Sequence, residues 1–541
     1  PRVGASLRGA HCALASHLMP TRTNVICTGG VSSFGFSGSI AHTVLRAIPT
    51  RTLAKHAHAL QIGISLRRRS FAWQPVGQPK ASEPLSFFVT GWAAQQAEPP
   101  VPAQSYLVLM RGAGSGDATR SRAFRSVILV LGVQDRCGMS LSSSAATLSL
   151  IQALLRMEKP PALRIISCGL QVTHPMGGSA GAVASANGGC VGAMRVLELE
   201  HSSLRPIIED VSLSPHLPMR FRSLDQSGDV ESQVVWHGEQ RLAPRLRRGT
   251  TVRAPSAVAK TSSGSTVVIT GGLGGLGLRG AKMLRRCGQA AHLVLTSRSG
   301  QIARDGQGLA ALLKELRGPA LSVMSCDAGV AMEVVSLIQG IVGAPSLALM
   351  HAAGIGDKGL ARDMQMAMVY SMASAKATGA QNLLAATMSV DVKYAVLFSS
   401  VAAGIGQVGQ SNYAAANAYL DALAQHERLG RTAAMSIQLP FIRGAGMGAA
   451  HIDERRGDAF RGLASISLDE YESCLFSLIG QRQQMCAAQL PQKLSSLLET
   501  LTDGSLARFG ELQPPIKLKS ASASNSSLTV ASAGEIEALV Q

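Results

Sequence analysis

Residues 265–286 read STVVITGGLGGLGLRGAKMLRR, and this stretch decides the fold. An apolar run at 267–269 predicts a buried strand, and a glycine-rich turn at 270–277 and a helical segment at 278–286 follow it directly. Glycines allow positive φ and close backbone approach, while a helix N-terminus offers free N–H groups and a partial positive charge. The order strand, turn, helix therefore predicts a site for the diphosphate of a nucleotide.

The next predicted strand, at 293–295, ends in Thr296-Ser297-Arg298-Ser299. A site for NAD usually has an acidic residue at this point, which accepts a hydrogen bond from the ribose 2′-hydroxyl. Arg298 suits a 2′-phosphate instead, because its guanidinium donates charge-assisted hydrogen bonds. We therefore expect NADPH as the cofactor. The alternative is that Arg298 is a surface arginine at a strand end.

Four polar residues further along the chain are candidates for the reduction of a carbonyl by hydride. Ser400 ends a predicted strand at 396–398, Tyr413 follows Ser400 by thirteen residues, and Lys376 precedes it by 24. Asn417 lies one helical turn after Tyr413, so both side chains face the same way. We expect Tyr413 to donate the proton that the nascent alkoxide needs and Ser400 to orient and polarise the carbonyl.

The phenol of Tyr413 is by itself too weak an acid for that role. With an unperturbed pKa of about 10, it is a poor acid at neutral pH unless a nearby cation lowers its pKa. We expect Lys376 to be that cation, and Asn417 to hold Lys376 or a relay water. Any one of these residues alone is more often structural, so the prediction depends on their joint occurrence with the glycine turn.

Two features of the sequence resemble known reductases. The spacing of the glycines in 270–277 is similar to that of short-chain dehydrogenase/reductases. Classical members have a lysine four residues after the tyrosine, whereas this chain has Asn417 there and Lys376 upstream. This exchange resembles the ketoreductase domains of modular polyketide synthases and animal-type fatty acid synthases. The likeness is strong over 265–450 and moderate over 100–210.

The resemblance implies reduction of the β-keto group of an acyl thioester to a β-hydroxyacyl thioester by NADPH. The implied partners are an acyl carrier protein that bears the chain on phosphopantetheine, and neighbouring synthase domains. The implied cofactor-binding residues are Thr270, Gly271, Gly272, Leu273, Gly274, Gly275, Leu276, Gly277, Ser297, Arg298, Cys326, Asp327, Ala352, Ala353, Gly354 and Pro440.

Three loops depart from the family's pattern. After Gly354 the family often has Val-Leu-Asp-Asp, where this chain has Ile355-Gly356-Asp357-Lys358. Other ketoreductases have a tryptophan five residues after the serine, and this chain has Ile405. A Trp-Gly-Pro-Trp-like loop is replaced by Gln438-Leu439-Pro440-Phe441. Because both markers of stereochemistry are missing, we predict no configuration for the alcohol.

Residues 29–46, GGVSSFGFSGSIAHTVLR, resemble the C-terminal signature of a β-ketoacyl synthase. In that family a glycine-rich loop presents a histidine, here His42, to the acyl thioester; a lone histidine is otherwise more often structural. In that family the nucleophilic cysteine and the first histidine lie far upstream of this loop, so we expect that the residues before 29 do not supply them. We therefore interpret 1–50 as the severed tail of a neighbouring synthase domain and 51–84 as the linker after it.

Residues 85–250 predict a second α/β half. Apolar runs at 106–109, 127–131 and 163–166 predict strands, and 144–157 predicts a helix. The stretch at 188–206 resembles a truncated, cofactor-free Rossmann subdomain. The expected fold is α/β with two Rossmann-like halves, a structural one at 85–250 and a catalytic one at 265–500, each a parallel sheet flanked by helices. A linker is expected at 251–264, and a linker with a candidate start of a carrier domain at 501–541.

Composition excludes several classes of protein. With 46% hydrophobic and 16% charged residues, the 541-residue chain is not a wholly disordered one. The net charge of +18 invites a nucleic-acid partner, but residues 1–82 hold ten Lys/Arg without Asp or Glu, and Arg245, Arg247 and Arg248 fall where a linker is expected. No nucleic-acid motif accompanies them, so we expect no such partner.

Other features concern the membrane, metals and the compartment. No window of 18 apolar residues predicts a membrane span, and the nine cysteines show no C-x-x-C spacing, so no metal site is expected. We predict a soluble intracellular protein of the cytoplasm or a plastid.

Two alternatives to an active ketoreductase stay open. A catalytically silent domain retained for architecture or docking has no need for the intact quartet and glycine turn. A free-standing short-chain dehydrogenase for a small carbonyl metabolite has no need for a synthase tail and a second half.

Overall fold

The structure is a computed structural model. It describes the following residues: 27–34, 40–47, 83–95, 106–110, 126–131, 139–168, 170, 185–211, 231–237, 240–254, 265–302, 307–341, 343, 346–356, 358–429, 432–446, 465–480, 488–500 and 511–512. The chain divides into two compact units, Pro1–Lys80 and Ala81–Gln541.

The described part of the first unit is a hairpin. Strands β1 (Cys27–Phe34) and β2 (Ile40–Ala47) pair antiparallel, and His42 stands opposite Ser32 in the register. The loop at 35–39 lies outside the described residues. The interpretation of this segment as the tail of a synthase domain stays a prediction.

The second unit is organised by one 14-stranded sheet in the order β12-β11-β10-β13-β14-β15-β16-β3-β9-β8-β7-β6-β5-β4. Its strands are β3 (Ser86–Ala94), β4 (Tyr106–Met110), β5 (Ser126–Val130), β6 (Ala162–Cys168), β7 (Ile207–Val211), β8 (Gln233–His237), β9 (Gln240–Thr251), β10 (Ser265–Thr270), β11 (Ala290–Ser297), β12 (Leu321–Ser325), β13 (Leu347–His351), β14 (Val392–Ser400), β15 (Ala434–Leu439) and β16 (Ala488–Gln492).

The α-helices among the described residues of this unit are numbered in chain order, as the strands are. They are α1 (Leu141–Leu154), α2 (Gly188–Glu200), α3 (Gly275–Arg286), α4 (Leu309–Leu316), α5 (Ala331–Gln339), α6 (Met366–Ala373), α7 (Gly379–Ala386), α8 (Val401–Ile405), α9 (Ser411–Leu429), α10 (Leu468–Gly480) and α11 (Leu494–Thr500). A π-helical turn (Ser374–Thr378) joins α6 to α7.

Two parallel halves are present, as predicted, but they lie within one sheet instead of two. Strands β12 to β16 on one side pair in parallel, and so do β8 to β4 on the other. The sequence did not predict how they join: β3 pairs antiparallel with both β16 and β9. The α/β class with two Rossmann-like halves is thus confirmed, and the halves share a continuous sheet. The proposed domain limits stay predictions.

The apolar run at 267–269 alternates between the two faces of the sheet. All of β10 is buried. Val267 and Ile269 pack into one cluster with α3 and α10, whereas Val268 packs into the cluster on the opposite face with α5, α7 and α9. Because both faces are covered by helices, the strand is continuously hydrophobic, as parallel strands usually are.

Two local predictions for the structural half differ from the structure in their position along the chain. Helix α1 runs over Leu141–Leu154 instead of 144–157, because Ser140 caps it by accepting a hydrogen bond from the Ser143 amide at 3.1 Å. The arginine cluster does not lie in a linker but in β9. There Arg245 pairs with Glu231 at 2.6 Å and Arg247 with Glu511 at 2.7 Å. These partners within the chain neutralise part of the basic cluster.

Helix α2 of the structural half packs closely on helix α9, which carries Tyr413. A Cβ on Gly192 would lie 2.2 Å from the carbonyl oxygen of Ala414, and one on Gly188 would lie 2.7 Å from the Ala422 Cβ. Glycines on α2 and alanines on α9 therefore allow the two backbones to approach within a distance that larger side chains would prevent. This contact connects the structural half to the candidate site.

Candidate active site

The glycine turn between β10 and α3 has the geometry that close approach to a ligand requires. Gly271 has φ of +67°, and a Cβ on it would lie 2.6 Å from the Ala353 nitrogen. A Cβ on Gly277 would lie 2.4 Å from the Gly271 carbonyl oxygen. Helix α3 begins at Gly275, with Gly274 as its N-cap in extended conformation. The N-terminal N–H groups of α3 thus meet the turn at the end of β10.

A cavity of about 450 Å³ opens at this turn. All of the predicted cofactor residues line it except Gly272 and Pro440. Gly272 faces the sheet: its amide donates to the Thr296 carbonyl at 2.9 Å, and a Cβ would lie 3.0 Å from the Leu295 Cβ. Pro440 is buried directly after β15.

Several lining residues were missed by sequence reasoning, namely Ser299, Gln301, Gln307, Leu309, Ala328, Ile355, Ala375 and Gly446. Gln307 and Gly446 form a reciprocal pair. Gln307 Nε2 donates to the Gly446 carbonyl at 3.1 Å, and the Gly446 amide donates to Gln307 Oε1 at 3.2 Å. No local motif signals this pair, because its members are 139 residues apart.

The residues of this cavity fit a dinucleotide. The N-terminus of α3 and the glycine-rich turn suit a diphosphate. Arg298 is exposed and lines the cavity beyond β11. Asp327 also lines the cavity, and its Oδ1 accepts from the Gly329 amide at 2.9 Å, which fixes the carboxylate. The buried Cys326 thiol has its pKa raised to about 11 by burial, so it is protonated at neutral pH.

Lys376 lies in the π-helical turn and is 3% exposed. Its Nζ donates to the Phe398 carbonyl oxygen at 2.8 Å and lies 5.5 Å from the centroid of the Tyr413 ring. Gly354, which lines the cavity, leaves the space that the lysine occupies: a Cβ there would lie 2.9 Å from Lys376 Cε. π-helical turns often mark functional sites, because they displace one side chain from the helical register.

Tyr413 and Ser400 face each other from α9 and the end of β14. Burial raises the pKa of Tyr413, and hydrogen bonds with the side chains of Ser400 and Asn417 act in the opposite direction. Ser400 is the N-cap of α8, and its Oγ accepts from the Ala402 amide at 3.3 Å. The hydroxyl keeps its proton for donation.

Asn417 is fully buried one turn beyond Tyr413. Its Nδ2 donates to the Tyr413 carbonyl oxygen at 2.8 Å, and its own carbonyl oxygen accepts from Ser399 Oγ at 3.1 Å. Within the described part of the chain its buried Oδ1 has no hydrogen-bond partner. A buried acceptor without a partner is costly, so the position fits a group that receives a water or an ammonium proton. The predicted quartet is therefore brought together around Tyr413.

Two ionisable side chains flank this group, Lys376, which is buried, and Asp421, which is half-buried. Burial lowers the pKa of Lys376 to about 8, while the carboxylate of Asp421 acts to raise it. Burial raises the pKa of Asp421, which accepts from Ser436 Oγ at 2.5 Å and from Gln438 Nε2 at 2.7 Å. Asp421 was not among the predicted site residues. It lies four residues after Asn417, and that spacing is the one signal for it in the sequence.

His351 connects the glycine turn to Lys376. Its Nε2 lies 2.9 Å from the Lys376 carbonyl oxygen, and its Nδ1 lies 2.7 Å from Thr270 Oγ1. Because a carbonyl can accept but not donate, Nε2 carries the proton and Nδ1 accepts from the Thr270 hydroxyl. Burial and the nearby Lys376 charge lower the pKa of His351 to about 3, so the ring is neutral at pH 7.

The fold and this site define a nucleotide-binding α/β domain of the Rossmann class. Residues 265–444 match the family model described as the KR domain. Curated proteins similar to this chain include a type I polyketide synthase, and similar solved structures include ketoreductases of modular polyketide synthases.

Two curated relatives show the extent of the likeness. The spectinabilin polyketide synthase system protein NorB of Streptomyces orinoci is 37% identical over 211 residues, which is 38% of this chain and 10% of that protein. The phenolphthiocerol synthesis polyketide synthase type I of Mycobacterium marinum is 32% identical over 266 residues, which is 48% of this chain and 12% of that protein. The matched regions thus span about a tenth of these relatives' length.

A solved structure described as A-type ketoreductases from a modular polyketide synthase has the same architecture. It has a TM-score of 0.63 and 25% identity, and the match covers 79% of this chain and 98% of that one. The resemblance to the ketoreductases of modular polyketide synthases, proposed from the sequence, is therefore confirmed.

Two further observations concern metals and membranes. Among the described residues, no three His, Cys, Asp or Glu side chains are grouped so that they could hold a metal ion. In the same part of the chain, none of the helices combines the length and hydropathy that a bilayer crossing needs. The predicted compartment stays a prediction, and the bacterial relatives give no support for a plastid.

Proposed function

We propose that this chain reduces the β-keto group of an acyl thioester carried by an acyl carrier protein, with NADPH as the cofactor. The product is the β-hydroxyacyl thioester. The observation that carries the proposal is the position of Lys376 Nζ, which lies 5.5 Å from the Tyr413 ring centroid. The same atom lies 3.4 Å from the point that a Cβ on the cavity-lining Gly354 would occupy. The ammonium group of Lys376, the phenol of Tyr413 and the cavity are thus close neighbours.

Each residue has a defined role in this proposal. A bound NADPH supplies the hydride that is added to the carbonyl carbon. Tyr413 donates its hydroxyl proton to the carbonyl oxygen, on which negative charge develops, and Ser400 donates a hydrogen bond to the same oxygen. The positive charge of Lys376 favours the tyrosinate that remains and so offsets the effect of burial on the pKa of Tyr413.

Asn417 supports the return of the proton. Its Oδ1 has no hydrogen-bond partner among the described residues and can accept from a water or from Lys376, as the first step of a proton route. We propose that this route reprotonates Tyr413 after each turnover. The amide of Asn417 is held by the Tyr413 carbonyl oxygen, so the oxygen keeps its direction.

The choice of NADPH rests on Arg298. It lines the cavity at the end of β11, where a 2′-phosphate of the adenosine ribose would lie, and no carboxylate follows Thr296 in the three residues after it. The proposed partners are the carrier protein with its phosphopantetheine arm and the neighbouring synthase domains. They follow from the type I polyketide synthase relatives.

The function is tested with the purified chain, NADPH and a β-ketoacyl N-acetylcysteamine thioester, followed at the nicotinamide absorbance band. We expect Tyr413→Phe to reduce turnover by about 10²-fold or more while NADPH binding stays near the wild-type value. Tyr370→Phe is the matched control, because Tyr370 is 47% exposed on α6.

Other results identify the alternatives. NADPH binding without turnover, also on a carrier-bound substrate, would indicate a silent domain. Brisk turnover of a free ketone with none of the thioester would indicate a short-chain dehydrogenase for a small metabolite. Full activity of Tyr413→Phe would refute the assigned acid.

A further inference from the structure

Glu200, the last residue of α2, reaches from the structural half into the catalytic half. Its Oε1 accepts from the Gly409 amide at 2.7 Å, and its Oε2 accepts from the Ala361 amide at 2.8 Å. The two amides belong to different loops, and each takes a separate oxygen of one carboxylate. An ionised carboxylate accepts at both oxygens and makes stronger hydrogen bonds to amides than a neutral group does.

The two loops flank the site. Residues 355–360 follow the cavity-lining Gly354, and residues 406–410 join α8, which Ser400 caps, to α9, which carries Tyr413. The loops also bond to each other, since the Gly359 amide donates to the Gly409 carbonyl at 2.9 Å. Glu200 thus completes a small closed set of hydrogen bonds between two loops, one that follows Gly354 and one that lies between Ser400 and Tyr413 in the chain.

A second contact from α2 supports the same segment. The Arg195 guanidinium donates to the Ala403 carbonyl in α8 and, at 2.7 Å, to Gln233 Oε1 of β8. Gly406 has φ of +77°, and a Cβ there would lie 2.7 Å from the Arg195 carbonyl oxygen. The segment from Ser400 to Gly409 is therefore held against α2 at three points along its length.

The loops present apolar side chains next to these bonds. Leu360 precedes Ala361 and is 40% exposed, and Val408 precedes Gly409 and is 52% exposed. Exposed apolar groups on loops that are next to site residues in the chain suit contact with the acyl chain of a substrate. Their positions depend on the amides that Glu200 binds.

We propose that Glu200 is a positioning residue that fixes the two substrate loops, and so determines which face of the ketone is turned towards the cofactor. This inference rests on the proposed ketoreductase function. It assigns to the structural half a direct part in selectivity through one carboxylate.

The test is Glu200→Gln, which keeps the shape of the side chain but replaces one acceptor oxygen by a donor NH₂. One of the two loop amides then loses its acceptor. With β-ketoacyl thioester as substrate, we expect KM to rise by about 10-fold and the ratio of the two alcohol enantiomers to fall, because a lost hydrogen bond to a charged group is worth roughly that factor. NADPH Kd, measured by fluorescence titration, should stay within about two-fold.

Glu231→Gln is the matched control. Glu231 is also a carboxylate of the structural half, but it pairs with Arg245 at 2.6 Å in that half. We expect its KM and enantiomer ratio to match the wild type. A merely structural role for Glu200 would lower the thermal stability of Glu200→Gln and leave its enantiomer ratio unchanged.

Hydrogen exchange of the loop amides tests this inference independently of the proposed function. In Glu200→Gln the amides in 355–361 and 406–410 should exchange faster than in wild type, whether or not the chain reduces a thioester. An inactive wild-type protein would refute the function, and the exchange would still decide whether Glu200 holds the loops. Unchanged exchange and an unchanged enantiomer ratio would overturn the inference. So would failure of Glu200→Gln to fold while Glu231→Gln folds, since Glu200 would then be a folding residue.

Discussion

The ammonium group of Lys376 lies over the ring of Tyr413, 5.5 Å from its centroid, and is held there by the carbonyl oxygen of Phe398 at 2.8 Å. The lysine comes from a π-helical turn and the tyrosine from α9, so no single element contains both. A cation over the ring interacts with its negative face and also stabilises the tyrosinate. We therefore expect the charge of Lys376 to affect the acidity of Tyr413.

We expect Lys376→Met to lower kcat by about 10²-fold, because the phenol then lacks its cation. Burial lowers the pKa of Lys376 to about 8. A lysine with a lowered pKa loses its charge as pH rises through that value, so wild-type reduction should decline above pH of about 8. The pH profile of kcat measures this.

Lys376→Arg is the control for charge. The guanidinium stays protonated far above pH 8. In this variant the decline of kcat should therefore move to higher pH, even if kcat itself is lower than in the wild type. An unchanged profile in this variant would assign the decline to another group.

Gly354→Ala tests whether the space beside the cavity is needed for the lysine. The added methyl group would lie 2.9 Å from Lys376 Cε and 3.4 Å from Nζ. We expect the side chain of Lys376 to be displaced, with kcat reduced by about 10-fold or more, since misplaced catalytic groups lose much of their effect. Gly480→Ala is the control, because a Cβ there meets nothing within 4 Å. Equal activity of both variants would contradict the prediction.

Gly271→Ala tests the close approach of the glycine turn. Its φ of +67° and the 2.6 Å distance to the Ala353 nitrogen add conformational strain to a steric clash. We expect loss of thermal stability and an NADPH Kd raised by about 10-fold or more.

Gly288→Ala separates these two effects. Gly288 has nearly the same φ, +66°, but a Cβ there meets nothing within 4 Å. It should show a similar strain of about 1–2 kcal/mol and unchanged NADPH binding. Weaker binding in both variants would mean that strain alone explains the effect.

Arg298→Ala tests the cofactor preference. Arg298 is exposed at the cavity, so its removal should not change the fold. We expect the NADPH Kd to rise by about 10-fold and the NADH Kd to change little, because a 2′-phosphate is the group that the guanidinium would bind. Binding titrations with both cofactors measure this. Arg317→Ala, at another exposed arginine, is the control. An equal change for both cofactors would remove the argument for the 2′-phosphate.

The local parts of the site were predictable from the sequence. The glycine turn, the strand before it and the helix after it are neighbours in the chain, so their geometry follows from residue type and order. Tyr413 and Asn417 are four residues apart, and a helix alone places them on one face. Helix α1 shows the limit of such reasoning, since its start depended on the cap Ser140 and not on apolar periodicity.

The positioning of the site could not be read in this way. Glu200 bonds to Ala361 and Gly409, which are 161 and 209 residues away. His351 bonds to Thr270 across 81 residues. Sequence patterns carry no information about such pairs, because their distances depend on how the helices pack on the sheet.

The sequence by itself determined the class of fold, the nucleotide turn and the four candidate residues of the reaction, because these depend on short-range order and on the chemistry of each side chain. The tertiary structure alone decided that two parallel halves share one sheet through β3 and β9, and that α2 reaches the loops around Ser400 and Tyr413. It also decided the pKa of Lys376, because burial and the nearby Asp421 set it. Burial and long-range contacts exist only once the chain is packed, and for that physical reason no local pattern contains them.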